Sequence, residues 1–328
     1  MSIRIGTRAS KLALTQTQQT ADQLAAVGGF PVELVHIKTE GDVRTGSLSQ
    51  MGGTGVFVAA LRDALLAETC DVAVHSLKDL PTGAAVGLSI AATPKRVDVR
   101  DVLCARDGLT LAELPGGAKV GTGSPRRAAQ LRAARPDIEV LDIRGNVDTR
   151  LGRVPGLPGN VTDEVVPGKS CDLDAVVLAA AGLERMDRLD TVSEFFETDV
   201  MLPAPGQGAL AIECRTADAP QVEGSNGVLA QALAALNDDD TRLAVTAERA
   251  VLARLEAGCA APVGAYAFRK GSMLHLEAVV CAVDGTKTVR EKKATDGLTE
   301  VGATLLGIEV AELLLAAGAA EIADLAAS

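Results

Sequence analysis

Three times in the first 150 residues, a short apolar run ends in a turn carrying an arginine and then gives way to a helical pattern. Ile3 and Ile5 lead into Gly6-Thr7-Arg8-Ala9-Ser10, and Leu12, Leu14, Ala21 and Leu24 then fall near one helical face. A run ending at Gly121 passes through Thr122-Gly123-Ser124-Pro125 into Arg126-Arg127 and a second helix. The strand-like IEVLDI passes through Arg144-Gly145-Asn146 to Arg150. Buried-strand runs alternating with amphipathic helices pack as a largely parallel sheet covered by helices. In such a sheet, ligands bind outside the carboxyl ends of the strands, where these turns lie.

The turns look built for anions. Ser10 and Ser124 suit helix N-caps and Pro125 suits the first helical position. A helix start exposes backbone N–H groups and a partial positive charge, so Arg126 and Arg127 on its first turn oppose the dipole and anticipate something negative nearby. Residues 120–151 hold six arginines (Arg126, Arg127, Arg132, Arg135, Arg144 and Arg150) in a chain of formal net charge -11. This is the pattern of a carboxylate or phosphate site, with a solvated basic face as the alternative.

The alternation continues along the chain. A helix over about 55–68 precedes DVAVHSLKDLP, where a strand from Asp71 to Val74 leads to His75-Ser76-Leu77-Lys78-Asp79 before Pro81 stops regular pairing. LSIAATP, VLCA, AKVG, IEVLDI and DAVVLAA are further strands, and LPAPGQGALAIEC (202–214) is a turn and strand expected to return to the first sheet. Beyond 219 the pattern changes to a helix over 241–258 closed by Gly258, three strands near 262–268, 273–283 and 286–294, and a helix near 299–316. The expected partition is an α/β unit of 1–96 with 204–219, a second of 97–203, and an α+β unit of 220–328. The Gly-rich stretch 41–58 and the Pro/Gly-rich stretch 155–169 are expected loops, and no sequence repeat is evident.

Composition narrows the function. An acidic chain with Tyr266 as its one tyrosine and no tryptophan lacks the basic surface and stacking platforms of a general nucleic-acid binder. No run approaches the roughly 20 apolar residues of a membrane span, and the first ten residues hold no apolar signal core. Six cysteines (Cys70, Cys104, Cys171, Cys214, Cys259 and Cys281) form no C-x-x-C pair and the three histidines lie far apart, so neither a disulfide framework nor a metal site is expected. A reducing cytoplasm is the expected compartment.

Six blocks in one order resemble the porphobilinogen deaminase (hydroxymethylbilane synthase) family: TRAS-x-LAL-x-Q, DVAVHS-x-KD-x-P, VGTGSPRRAAQL, IRGNVDTRL, LPAPGQGALAIECR and RLEAGCAAPVGAYA, from about residue 3 to residue 266. The resemblance implies two doubly wound domains like those of periplasmic binding proteins, flanking a cleft, with a small α+β domain behind. It implies a monomer that joins four porphobilinogen molecules head to tail, with loss of ammonia, on a dipyrromethane cofactor. That cofactor is held by a thioether to the cysteine matching Cys259. By the same analogy Ser76, Lys78, Thr122, Ser124, Arg126, Arg127, Arg144 and Arg150 hold the cofactor's acid groups. Arg8, Ser10, Gln16, Arg144, Arg150, Arg185 and Gln207 meet the substrate, and Asp79 stabilises the cation left when ammonia departs. Guanidinium forks grip carboxylates bidentately, which suits substrates bearing an acetate and a propionate on every ring.

The residues alone leave plainer readings open: Asp79 as a turn former before Pro81, and Cys259 as a small buried hydrophobe. Three rival functions share part of the pattern. One is a hinged anion-binding protein, which needs neither Asp79 nor Cys259. Another is a nucleotide enzyme, against which Arg126 stands at the third glycine of the G-x-G-x-x-G fingerprint. The third is a pyridoxal enzyme using Lys78. The chain also departs from the family at 46–57, where Gln50 and Thr54 stand in a loop in which many relatives carry lysines.

Overall fold

A computed structural model describes residues 2–37, 55–158, 171–220, 227–258 and 261–325, without the side chains of 55–57. Strand β1 (Ile3–Thr7), helix α1 (Lys11–Gly28) and strand β2 (Val32–His36) open the chain, and the two strands pair in parallel. Ser10 caps α1 by accepting from the Ala13 N–H at 3.3 Å, and Gly29 ends it in the left-handed region at φ 65°. These are the stops that the sequence places there. Helix α2 (Gly55–Leu66) leads to β3 (Val72–Ser76), parallel to β1, and a 3-10 turn over Leu77–Asp79 precedes β4 (Leu88–Ala92).

Residues 93–100 cross to a second sheet. There follow β5 (Asp101–Ala105), β6 (Lys119–Gly121), α3 (Pro125–Ala134), β7 (Glu139–Leu141), α4 (Val147–Leu151), β8 (Ala175–Ala179), α5 (Ala180–Arg185) and the short β9 (Glu194–Phe195). Their order is β7-β6-β8-β5-β9, with β5 antiparallel to both neighbours. Residues 203–209 cross back, and β10 (Leu210–Arg215) enters the first sheet antiparallel between β3 and β4, giving β2-β1-β3-β10-β4. Both α/β units therefore share one topology. Each is completed by the antiparallel strand that follows a crossing. This repeat is structural only, because the sequence shows none. The returning strand lies where the sequence expects it. All five residues of β5 are buried, as befits a central strand with both faces covered.

Helix α6 (Val228–Leu236) buries Ala232 and Leu233 against Ile5, Leu24 and Val72 in the first core. The boundary expected at residue 220 falls before this helix, so we propose the turn at Asn237-Asp238 in its place. Helix α7 (Asp239–Arg254) then starts the last unit, with Asp238 accepting from the Thr241 N–H at 2.8 Å. It stops at Arg254, short of the expected Gly258, because Glu256 takes the left-handed turn at φ 52°. The antiparallel strands β11 (Val263–Lys270), β12 (Met273–Cys281) and β13 (Thr288–Thr295) follow, then α8 (Glu300–Ala316) and α9 (Ala319–Ile322). Val251, Leu276, Leu306 and Val310 share this unit's own core. Among the described residues no helix is long and apolar enough to cross a membrane.

Candidate functional site

The carboxyl ends of β3 and β8 meet at the second crossing. Leu12, Gln16, Ser76 and Lys78 from the first unit face Ala179, Ala181 and Arg185 from the second across a space of about 40 Å³, with Gly206, Gly208 and Ala209 at its edge. Buried Gln16 exchanges hydrogen bonds with Ser76 Oγ at 3.2 and 3.3 Å. Lys78 donates from Nζ to Gln207 Oε1 at 3.2 Å. Burial, and then the charge of Arg127, lower the Lys78 ammonium to about 8, although Asp79 and Asp101 work the other way. Asp79 is half-buried at the end of the same 3-10 turn.

The first turn of α3 forms as expected, with Ser124 Oγ accepting from the Arg127 N–H at 3.5 Å and Thr122 Oγ1 accepting from the Ser124 N–H at 3.3 Å. The negative partner anticipated for the arginines is found inside the protein. Arg126 donates to Asp101 Oδ2 at 2.7 Å and to the Leu202 carbonyl at 2.6 Å. Arg127 donates to Asp101 Oδ1 at 2.8 Å and to the Val177 carbonyl at 3.2 Å. Burial alone would raise the Asp101 pKa, but the two guanidiniums outweigh it and hold the carboxyl well below the usual range. Two cations thus share one carboxylate. Arg126 Nε is also buried without a hydrogen-bond partner among the described residues.

The other arginines are less buried than Arg126 and Arg127. Asn146 caps α4 by accepting from the Thr149 N–H at 2.8 Å. Arg150 donates to the Gly145 carbonyl at 2.9 Å, and burial followed by repulsion from Arg127 and Arg144 lowers it to about 10. Arg144 is exposed and pairs with Asp142 at 3.0 Å. Arg185 donates to the Gly208 carbonyl at 2.9 Å, and burial lowers it too to about 10. Arg8 and Ser10 are half-buried in the turn between β1 and α1. Guanidiniums depressed in this way are cations held at a cost, and an incoming anion relieves it.

The sequence reading places Gln207 at the substrate. It is fully buried, its Oε1 accepts from Lys78, and its Nε2 donates to the Val99 carbonyl at 2.8 Å and to Asp101 Oδ1 at 2.9 Å. Asp101, which organises Arg126, Arg127 and Gln207, was not singled out from the sequence. The available signal was an aspartate opening the apolar run DVLCA, since a carboxylate buried in a strand needs cationic partners. Cys259, Gln50, Thr54 and most of the 155–169 stretch lie outside the described residues. Cys70, Cys104, Cys171, Cys214 and Cys281 are free thiols.

The family model described as "Porphobilinogen deaminase, dipyromethane cofactor binding domain" matches residues 3–223, and "Porphobilinogen deaminase, C-terminal domain" matches 242–316. A porphobilinogen deaminase of Cutibacterium acnes is 55% identical, with 100% of this chain and 98% of the relative covered. One from Thermobifida fusca is 53% identical, covering 99% and 97%. Among solved structures, a periplasmic substrate-binding protein of an ABC transporter from Coxiella burnetii aligns over 71% of this chain and 91% of its own, at 13% identity and TM-score 0.42.

Proposed function

The chain belongs to the porphobilinogen deaminase family, and on that premise we propose how its residues divide the work of building a linear tetrapyrrole. The activity condenses four porphobilinogen molecules head to tail, releasing ammonia, into hydroxymethylbilane on a dipyrromethane primer. The observation that carries the assignment is the convergence of Lys78, Arg126, Arg127, Arg150 and Arg185 on one crossing, against few carboxylates.

The donor set fits the primer. Its acid groups call for forked cations, and the buried, unpartnered Arg126 Nε is a donor aimed at no protein atom among the described residues. Lys78, Ser76, Thr122, Ser124, Arg126, Arg127, Arg144 and Arg150 hold it, and Cys259 anchors it through the thioether. When bound, the primer supplies the nucleophilic pyrrole carbon on which the chain grows. Arg8, Ser10, Arg144, Arg150 and Arg185 grip the acetate and propionate of incoming substrate, while Gln16 keeps Ser76 oriented. Asp79 lies beside Lys78 at the end of β3. Its carboxylate stabilises the positive charge that develops as ammonia leaves the substrate, and it passes protons to and from the pyrrole N–H. The enzyme works in the cytoplasm as a monomer.

Intact mass tests this reading. The purified protein is expected to exceed its sequence mass by two linked pyrrole units, and Cys259→Ser is expected to show no excess. Added porphobilinogen should then produce a ladder of pyrrole increments. A wild-type protein that neither carries the excess nor gains mass with substrate would refute the assignment.

A further inference from the structure

The two crossings, 93–100 and 203–209, run side by side, with the Val97 N–H donating to the Gly208 carbonyl at 3.4 Å. Gly206 and Gly208 flank Gln207 with φ of 77° and 84°. A Cβ at Gly208 would lie 2.7 Å from the Val97 carbonyl oxygen, so only glycine lets the crossings approach this closely. Gln207 is thereby pressed into the point where all three units meet. Its backbone carbonyl accepts from Arg96 Nε at 3.2 Å and Nη2 at 2.8 Å. Arg96 in turn pairs with fully buried Glu248 of α7 at 2.7 Å. The Gln207 side chain reaches Lys78 on one side and Val99 and Asp101 on the other.

We propose that Gln207 is a positioning residue that couples Lys78 to the angle between the two α/β units. Its Nε2 is bound to the second unit through two acceptors, whereas its Oε1 holds the first unit through Lys78 alone. A rotation about the crossings therefore stretches the Lys78–Gln207 bond before it disturbs the ladder of either sheet. The freed ammonium turns to the nearest carboxylate, either Asp79 on its own turn or an acid group bound in the cleft. The charges facing Lys78 are Asp79, Asp101 of β5, and Arg126 and Arg127 of α3, with Arg185 of α5 on the same cavity. Gln207 thus acts on the reaction through Lys78 without touching substrate. This deepens the deaminase reading and rests on it.

The test uses the loaded enzyme. Gln207→Met keeps length and burial but removes both hydrogen-bonding groups. It is expected to lower kcat by about 10-fold or more while KM changes by less than about 3-fold. The alkaline limb of the kcat profile should move to lower pH, because the ammonium loses an acceptor. Intact mass should show a redistribution among partly elongated species. A lowered Tm with wild-type kcat, pH profile and mass ladder would reduce Gln207 to a packing role and overturn the proposal. Should the methionine variant fail to fold or load, Gln207→Asn keeps the amide but shortens its reach to Lys78 by one methylene, and is expected to move the alkaline limb to lower pH. An unmoved limb there also overturns it. Wild-type loading and turnover run alongside: their absence defeats the deaminase reading, whereas their presence with silent variants defeats only the role of Gln207.

Discussion

Replacing Asp101 by asparagine removes the one carboxylate shared by Arg126, Arg127 and Gln207 while keeping the side chain's shape. Asp101 is fully buried, and its bonds to the two guanidiniums are 2.7 and 2.8 Å long. Removing one partner of a buried ion pair costs about 3–5 kcal/mol, because the remaining charge stays desolvated. At about 2–4 °C per kcal/mol, Tm should fall by about 6–20 °C. An amide oxygen can keep one of the bonds, which favours the lower part of the range. The pH dependence gives a second check. The Asp101 pKa is depressed on folding. Its contribution is therefore present above the unfolded carboxylate pKa of about 3.9 and is lost only as pH falls through the lower folded value. The gap in Tm between wild type and Asp101→Asn, measured by calorimetry, should stay constant from pH 7 to about pH 5. A gap below about 2 °C at pH 7, or one that closes between pH 7 and 5, would refute the buried two-arginine pairing.

Asp79→Asn should retain fold and primer, as read by Tm and intact mass, yet lose about 100-fold or more in turnover; near-normal product formation removes Asp79 from the chemistry. Arg144→Leu should leave Tm almost unchanged, since exposed ion pairs such as Arg144–Asp142 contribute about 0–1 kcal/mol, but should impair primer assembly or elongation; an unchanged elongation rate contradicts the carboxylate-cleft assignment. Wild-type activity should decline on the alkaline side as Lys78 loses its proton, at a pH above the ligand-free value of about 8 because the primer's acid groups raise it, and Lys78→Arg should carry activity to higher pH if it folds and loads; identical alkaline limbs separate Lys78 from that decline.

The strands and caps were legible because they are local. Alternating apolar runs, Ser10, Ser124, Pro125 and Gly29 each act within a few residues, and the structure uses them as the sequence presents them. What was hidden is pairing at a distance. Asp101 meets Arg126 25 positions away, and Gln207 meets Lys78 129 positions away; no spacing rule links either pair. Helix α6 was missed for a related reason: an apolar stretch such as VLAQALAAL names no partner, and only the packing of Leu233 beside Leu24 shows which core it joins. The expected end of α7 failed because a glutamate, Glu256, took the left-handed position that the sequence offered to Gly258.

The arginines illustrate why burial is the quantity that a sequence carries least. The six in 120–151 look alike on the page, but the structure separates them by environment. Arg126 and Arg127 are buried on Asp101, Arg150 is desolvated beside like charges, Arg144 is exposed, and Arg132 and Arg135 bond to backbone carbonyls away from the cavity. The distinction matters because the chain as a whole, at -11, repels a dicarboxylate substrate. At physiological salt that repulsion is screened beyond about 8 Å, while half-buried cations are screened much less. Selection for acid-bearing pyrroles must therefore come from the few desolvated cations at the crossing. Their strength depends on the carboxylates withheld from them: Asp101 is occupied by Arg126 and Arg127, and under the proposed assignment Arg150 and Arg185, each desolvated and bonded to a backbone carbonyl, are the cations left for the substrate.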